Sequence, residues 1–391
     1  MNKRVAIVYD WADTNWGGAE KVLAVLAEIF PEATLYASFV TPSAAWTKKF
    51  ARVETTWLGR WPRFLHRHKW LLTPFLWAAF ASLDVRAYDV IISVTSCAAK
   101  NVRTSRQQLH VCYLLTPTRF LWIAPEQYLP VMRFGLWPVI KFLQYIDKKA
   151  AARPDKIIAI SQLVAERCQK YYGRRVDRVI YPTILDDEPI DHILCTNIDK
   201  NCTNCQKNID VQYDENFKNG SKPFFLFVGR LRAYKKCQAC IEACGQLGVP
   251  LVIVGAGGQE KFLRQLVDKK SYANVTFVKN ISPKCLKMYY NTAYALLAPG
   301  EEDFGINLLE ANAAGLLVVT HPRSGAAELL DDRQKRTIEE RQTQESLKKQ
   351  VDKIAAAGRQ KVPAGEWSRQ KFADEFASCI NEYVKKHFKQ S

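Results

Sequence analysis

The sequence has no run of about 20 continuous apolar residues, the length needed to cross a bilayer. The longest candidate, Trp70 to Leu83, is too short and gives way to Asp84 and Arg86. No targeting segment is expected either, because the strand-like Val5-Ala6-Ile7-Val8-Tyr9 follows directly on Met1-Asn2-Lys3-Arg4. There is no internal repeat at solenoid period. There is no helix-turn-helix, zinc-finger or RNA-binding signature. Acid is scarce as well: 39 Asp and Glu stand against 56 Lys and Arg, a net charge of +17. That excess calls for an anionic partner, which leaves nucleic acid, an anionic lipid surface or a phosphate-bearing substrate. Without a recognition signature, nucleic acid is the weakest of the three and is not expected.

What is present is ordinary for a globular chain, with 48% apolar residues. At 391 residues it is long for one core, so two domains are expected. The eleven Cys, with no leader ahead of them, read as packed thiols in a reduced compartment rather than a disulfide framework.

Apolar runs alternate with amphipathic ones. Val5–Asp10, Thr34–Val40, Tyr88–Val94, His110–Leu115, Lys156–Ile160 and Val179–Pro182 read as strands of a first domain. Residues 186–222 lack periodicity, lean acidic and read as a linker with an insertion. A second domain opens sharply at Phe224–Val228 and continues through Pro250–Val254, Asn274–Val278 and Ala293–Ala298. Strand–helix alternation of this kind predicts α/β architecture with parallel sheets covered on both faces. In the tail, Phe372, Phe376, Ile380 and Tyr383 repeat at helical spacing and give the last helix an apolar face.

Several loops carry chemistry. Gly17-Gly18 follows the first strand and opens a helix, where missing Cβ atoms let backbone approach a ligand; an ordinary βα turn has the same look. Gly257 lies in a similar loop. Lys100 and Arg119 each follow a strand end, the place where α/β sheets bind ligands. The segment Gly300-Glu301-Glu302-Asp303-Phe304-Gly305-Ile306-Asn307-Leu308-Leu309-Glu310 joins a buried strand to a helix N-terminus, whose first N–H groups favour an anion. Two carboxylates beside such a site make sense if they hold sugar hydroxyls or steady positive charge. Trp57 to Leu72 alternates bases and aromatics, with Arg60, Trp61, Arg63, Arg67 and Trp70 suited to a lipid interface. An amphipathic helix packed on its own domain would read the same way. Cys202-x-x-Cys205 has half of a zinc spacing, with Cys195 as a third candidate ligand and His192 as a fourth; incidental thiols in an insertion are the simpler reading. Cys237, Cys240 and Cys244 share one helix face and read as core packing.

Taken in order, these motifs resemble those of the retaining glycosyltransferases of family four. The matching stretches are Gly17-Gly18-Ala19-Glu20, Ala98-Ala99-Lys100-Asn101-Val102, Thr116-Pro117-Thr118-Arg119-Phe120-Leu121-Trp122, Ile158-Ala159-Ile160-Ser161, Val179-Ile180-Tyr181-Pro182, Gly229-Arg230-Leu231 with Lys235, Gly255-Ala256-Gly257, and Glu302 to Glu310 as an E-x7-E pair. The resemblance covers nearly the whole chain except the insertion. It implies a GT-B fold: two Rossmann-like parallel-sheet domains facing a cleft, with a C-terminal helix crossing back to the first. The domains would span residues 1–184 and 223–365, with a linker at 185–222 and the last helix at 366–391. In motif style the chain is similar to bacterial mannosyltransferases of surface polysaccharide synthesis.

What the resemblance implies is retaining transfer of a hexose from a nucleotide-diphosphate sugar, GDP-mannose favoured, with no metal or other cofactor. The acceptor would be a saccharide or lipid-linked sugar at the inner face of a membrane. Arg230 and Lys235 would hold the donor diphosphate, Glu302 would lie near the donor sugar, and Glu310 would bind ribose hydroxyls. Asp303, Phe304, Gly305, Ile306 and Asn307 would line the donor between them. Gly17 and Gly18 would approach from the first domain, Gly257 and the Asn280-Ile281-Ser282 loop from beside the base. Arg119 and Lys100 would lie on the acceptor side. Two positions depart from the family pattern. Leu115 replaces the usual His before Thr-Pro, and Ile123 stands where an Asp often follows Trp122. Leu115 cannot hydrogen-bond a sugar, so another group covers that hydroxyl, the donor differs, or catalysis is impaired. The last of these is a second reading, a donor-binding but inactive partner protein; a third, a UDP-sugar epimerase on the same fold, would need acid/base residues in the cleft, and the absence of a clear His there counts against it.

Overall fold

The structure, a computed structural model, describes residues 3–13, 17–67, 69–123, 125, 137–184, 224–279 and 281–389. The chain divides into two compact units, Met1–Leu185 with Ser368–Ser391, and Asp186–Trp367. The candidates His192, Cys195, Cys202, Cys205 and Asn280 lie outside the described residues.

In the first unit, β1 (Val5–Tyr9), β2 (Thr34–Ala37), β3 (Arg52–Thr55), β4 (Val90–Thr95), β5 (Leu109–Leu114), β6 (Lys156–Ala159) and β7 (Arg178–Val179) form one sheet in the order 3-2-1-4-5-6-7. Every pairing is parallel, and β1 lies between β2 and β4 with Tyr9 facing Ala37 on one side and Val94 on the other. Strands covered on both faces are mostly apolar runs, and β1, β4 and β5 are buried at every position. The covering helices are α1 (Gly18–Ile29), α2 (Arg63–Arg67), α3 (Lys69–Ala81), α4 (Arg119–Trp122), α5 (Trp137–Ala151) and α6 (Gln162–Tyr172). Leu72, Leu76, Trp77 and Phe80 of α3 share a core with Ile140, Leu143 and Ala150 of α5.

The second unit repeats the plan. Its strands are β8 (Phe225–Val228), β9 (Leu251–Val254), β10 (Val275–Val278), β11 (Ala295–Ala298), β12 (Leu317–Thr320) and β13 (Lys335–Thr337), in the order 10-9-8-11-12-13, again all parallel. Its helices are α7 (Cys237–Leu247), α8 (Glu260–Lys270), α9 (Pro283–Thr292), α10 (Ile306–Ala313) and α11 (Thr343–Ala357). Cys237, Cys240 and Cys244 lie buried in its core beside Phe225, Phe227 and Leu251. The last helix, α12 (Arg369–Lys389), belongs to the first unit. Its apolar face is buried there, with Tyr113 edge-on to Phe376 at 5.4 Å.

Both sheets therefore have the doubly wound order, with strand direction of build-up reversing between β1 and β4 and between β8 and β11. Three strands, β3, β12 and β13, were not legible as such in the pattern. β3 and β13 are short edge strands carrying Arg52, Glu54, Lys335 and Arg336, so they lack the apolar signature of the interior.

Candidate functional site

In the second unit the residues after β8 and β11 meet at the switch point. Lys235 closes a 3-10 turn after β8, and its Nζ pairs with Glu302 Oε1 just beyond β11. Both side chains are only 11% exposed, so the ion pair is nearly dry and its charges are weakly screened. Arg230, two residues past β8, is exposed.

The Glu302 loop is tied down along its length. Ser324 Oγ accepts from the Glu302 N–H at 3.2 Å and donates to the Gly300 carbonyl at 3.2 Å. The N–H groups of Gly325 and Ala326 reach the carbonyls of Glu302 and Phe304 at 3.1 and 2.8 Å. Phe304 is buried and anchors the loop, while Asp303 is half-buried. Gly305 then adopts φ 95°, a region that penalises a Cβ, and starts α10 with no side-chain cap. The Leu308 N–H turns back to the Gly305 carbonyl at 3.0 Å, so the donor capacity at the start of α10 rests with the N–H groups of Ile306 and Asn307, which have no acceptor within the helix. Ile306 is its half-buried first residue, and the Asn307 amide donates to the Val228 carbonyl at 3.0 Å, locking α10 to the end of β8. One turn on, Glu310 Oε2 accepts from Tyr290 OH at 3.0 Å. Burial, then the Glu310 charge, pushes the Tyr290 phenol well above its usual pKa, so it stays a donor.

Not every expected residue faces this place. The position a Gly257 Cβ would take is filled by the Leu231 backbone, 2.7 Å from its nitrogen. Packing between two strand-end turns thus calls for a glycine here by itself. Lys100 is likewise not a surface group. It is 1% exposed and pairs at 2.7 Å with Asp147, itself fully buried in α5. Asp147 also accepts from Trp77 Nε1 at 3.3 Å, Trp122 Nε1 at 2.8 Å and Tyr172 OH at 2.9 Å. Burial pulls the Lys100 pKa down, but the adjacent Asp147 carboxylate outweighs it and holds the ammonium charged. Lys100 thus belongs to the interior of the first unit, where its network fixes Trp122. Arg119 is half-exposed at the start of α4, and Leu115 is half-buried with its N–H on the Thr95 carbonyl at 2.9 Å.

Gly17 and Gly18 stand at the start of α1. A Cβ on Gly17 would come within 2.6 Å of Glu20 Oε2. Arg60 is exposed, and Trp61 is half-exposed against Trp57 and Phe75 at centroid distances of 5.5 and 5.3 Å. Arg63 and Arg67 lie in α2 and Trp70 in α3, their side chains outside the described part of the structure.

Glu301, His321 and Glu340 converge within 4.8 Å at the ends of β11, β12 and β13. His321 Nδ1 accepts from the Arg323 N–H at 3.2 Å, which leaves Nε2 to carry the proton of the neutral ring. Burial lowers the His321 pKa against the pull of Glu301.

The sequence reading gave no role to Asp10, Tyr290, His321 and Ser324, and named Glu20 only as part of the Gly17-Gly18-Ala19-Glu20 motif. Of the first four, only Asp10 carried a signal, a carboxylate ending an apolar strand.

Known proteins match in both halves. The sequence model of the family described as "Glycosyltransferase Family 4" matches residues 16–187, and that of "Glycosyl transferases group 1" matches residues 208–368. The O-antigen chain mannosyltransferase C of Escherichia coli is 26% identical over 167 residues, which cover 41% of this chain and 45% of that protein. The match thus spans less than half the length of that relative. The sucrose-phosphate synthase of Thermosynechococcus elongatus superposes with a TM-score of 0.69 at 15% identity, covering 99% of this chain and 100% of the other. Alr3699/HepE of Anabaena, solved in complex with UDP-glucose, gives 0.63 at 18% identity, with 100% of both chains covered. In fold the chain is a GT-B protein, and its two halves in turn match glycosyltransferase domain models.

Proposed function

We propose that the chain is a retaining glycosyltransferase of family-four type that moves a hexose, mannose favoured, from a nucleotide-diphosphate sugar to a saccharide or lipid-linked acceptor. The observation that carries this is the Lys235–Glu302 pair at the switch point of the second sheet, beside the uncapped start of α10. A leaving nucleoside diphosphate needs positive charge placed in advance where charge develops. Lys235, Arg230 and the α10 N–H groups supply it, with Arg230 able to fork onto two phosphate oxygens. No metal is required in this scheme. Glu302 steadies Lys235 and accepts from a donor-sugar hydroxyl. Glu310, oriented by Tyr290, accepts from the ribose hydroxyls. Gly17 and Gly18 suit the sugar rather than the diphosphate, because the Glu20 carboxylate beside Gly17 repels phosphate. The acceptor hydroxyl attacks on the face the diphosphate leaves, and a leaving phosphate oxygen takes the proton; binding and orientation do the rest.

The E. coli relative acts on mannose by its name, and the Anabaena neighbour was solved with UDP-glucose. GDP-mannose and UDP-glucose are therefore the first donors to compare in a thermal-shift panel. A donor present at about 100 times its Kd stabilises the fold by about 2.7 kcal/mol. A panel in which no nucleotide sugar raises the melting temperature overturns the reading.

Leu115 favours a second reading, a protein that binds donor without transferring it. Sugar transfer into a membrane extract by the wild-type chain removes that reading. Placement at a membrane surface follows from a lipid-linked acceptor and the net charge of +17. No helix among the described residues is long and apolar enough to cross a membrane.

A further inference from the structure

Of the nine exposed large apolar side chains among the described residues, four lie on one helix: Trp137, Val139, Phe142 and Tyr145 of α5, exposed by 57, 47, 61 and 55%. The opposite side of α5 is spent on the core, through Ile140, Leu143, Asp147 and Ala150. Nothing in that inner packing calls for aromatic rings on the outside. The outer face also carries Lys141, Lys148 and Lys149, all exposed. Lys141 sits over the Trp137 ring and Lys149 over the Tyr145 ring, each 4.5 Å from the centroid. The only carboxylate of the helix, Asp147, is buried and paired with Lys100. At 3.6 residues per turn, rings and lysines share roughly half the circumference. The result is a face with three positive charges, no negative one and four apolar side chains.

We infer that this face of α5 docks the protein onto an anionic lipid surface. Rings of this kind settle at headgroup depth, and lysines snorkel outward to lipid phosphates while their stems cover apolar surface. Charge decides for lipid over a second copy of the chain, because two such faces repel each other. The patch lies on a different helix from the Arg60–Trp70 stretch that the sequence singles out. The inference rests on the membrane-surface part of the reading above, and it needs no turnover to be tested.

The experiment is vesicle flotation with phosphatidylcholine alone and with about one third phosphatidylglycerol. Three proteins are compared: wild type, a Trp137→Ala/Phe142→Ala/Tyr145→Ala variant, and a Lys141→Glu/Lys148→Glu/Lys149→Glu variant. Wild type floats with the anionic vesicles and is released by salt. Both variants lose at least about ten-fold in partitioning. Their melting temperatures match wild type, because every altered side chain is exposed. Their stabilisation by nucleotide sugar is also unchanged, so failure of the docking face and failure of the transferase reading are told apart. Wild-type protein that ignores anionic vesicles overturns the inference. So do variants that float as wild type does, and so does a wild-type dimer that the aromatic variant dissociates with flotation unaltered.

Discussion

The two sheets have the same strand order, yet their switch points are filled in opposite ways. In the first unit, Asp10 at the end of β1 is 1% exposed and accepts from Thr95 Oγ1 at 2.9 Å and from the N–H groups of Ser96, Ala98 and Ala99 at 2.7, 2.8 and 2.8 Å. Glu20, in the first turn of α1, is also buried and accepts from Tyr9 OH at 2.8 Å. Where a doubly wound sheet offers donors to an external anion, this unit has supplied its own carboxylates. In the second unit the corresponding strand ends bring a cation, Lys235, against Glu302, and among the described residues no side chain caps α10. One topology thus yields a crevice closed by an internal anion and one, the crevice proposed above for a diphosphate, that holds a cation beside a helix start with no side-chain cap. The strand order says where a ligand would sit; the side chains at the strand ends decide whether one is invited.

The sharpest way to break the comparison is to remove the internal anion. Asp10→Ala leaves several buried donors facing no acceptor. We expect a loss on the order of 4 kcal/mol in chemical denaturation. A variant as stable as wild type would show that the carboxylate does not hold the first crevice together. The buried pair behind it is next. Lys100→Met strands the Asp147 charge in the interior, at a cost of about 3 kcal/mol. Adding Asp147→Asn removes that charge and keeps an acceptor for Trp122 and Tyr172, so part of the loss returns. Equal or greater loss in the double variant would contradict the ion-pair account.

The second crevice is probed by activity. Lys235→Ala removes the cation proposed to face the leaving diphosphate, and we expect transfer to fall by about 100-fold while the chain stays folded. Unchanged turnover in a donor-dependent transfer assay would sink the assignment of this crevice.

The sheets were legible because interior parallel strands are continuous apolar runs, as in Val5–Tyr9 and Ala295–Ala298. The Lys235–Glu302 encounter was legible only through motif order, since 67 residues separate the two. Asp10 and Lys100 were not legible in their real roles. A carboxylate at a strand end and a base after Ala98-Ala99 look like solvated loop residues. The donors that claim Asp10 lie 85 to 89 residues away, and the acid that claims Lys100 sits among the lysines of α5. Local pattern reports exposure well where neighbours in sequence decide it. It fails where a distant partner neutralises a charge.

A smaller difference separates the two units in their histidines. His110, on β5 of the first unit, is fully buried, with Nε2 against Ser93 Oγ at 2.9 Å. Burial, then Arg174 and Arg153, lowers its pKa to about 3. The unfolded chain titrates near the usual value of about 6.5. Because the folded pKa lies below the unfolded one, acid favours the unfolded state. The stabilising contribution is complete above the unfolded pKa and drains away as pH falls from there toward the folded pKa. Between about pH 7.5 and 5.5 it amounts to about 1.4 kcal/mol. His321 of the second unit is also lowered by burial, but Glu301 and Glu340 pull it back up. The slope of unfolding free energy against pH in that window should flatten in His110→Leu and change less in His321→Gln. If His110→Leu keeps the wild-type slope, the buried imidazole is not what makes the first unit sensitive to acid.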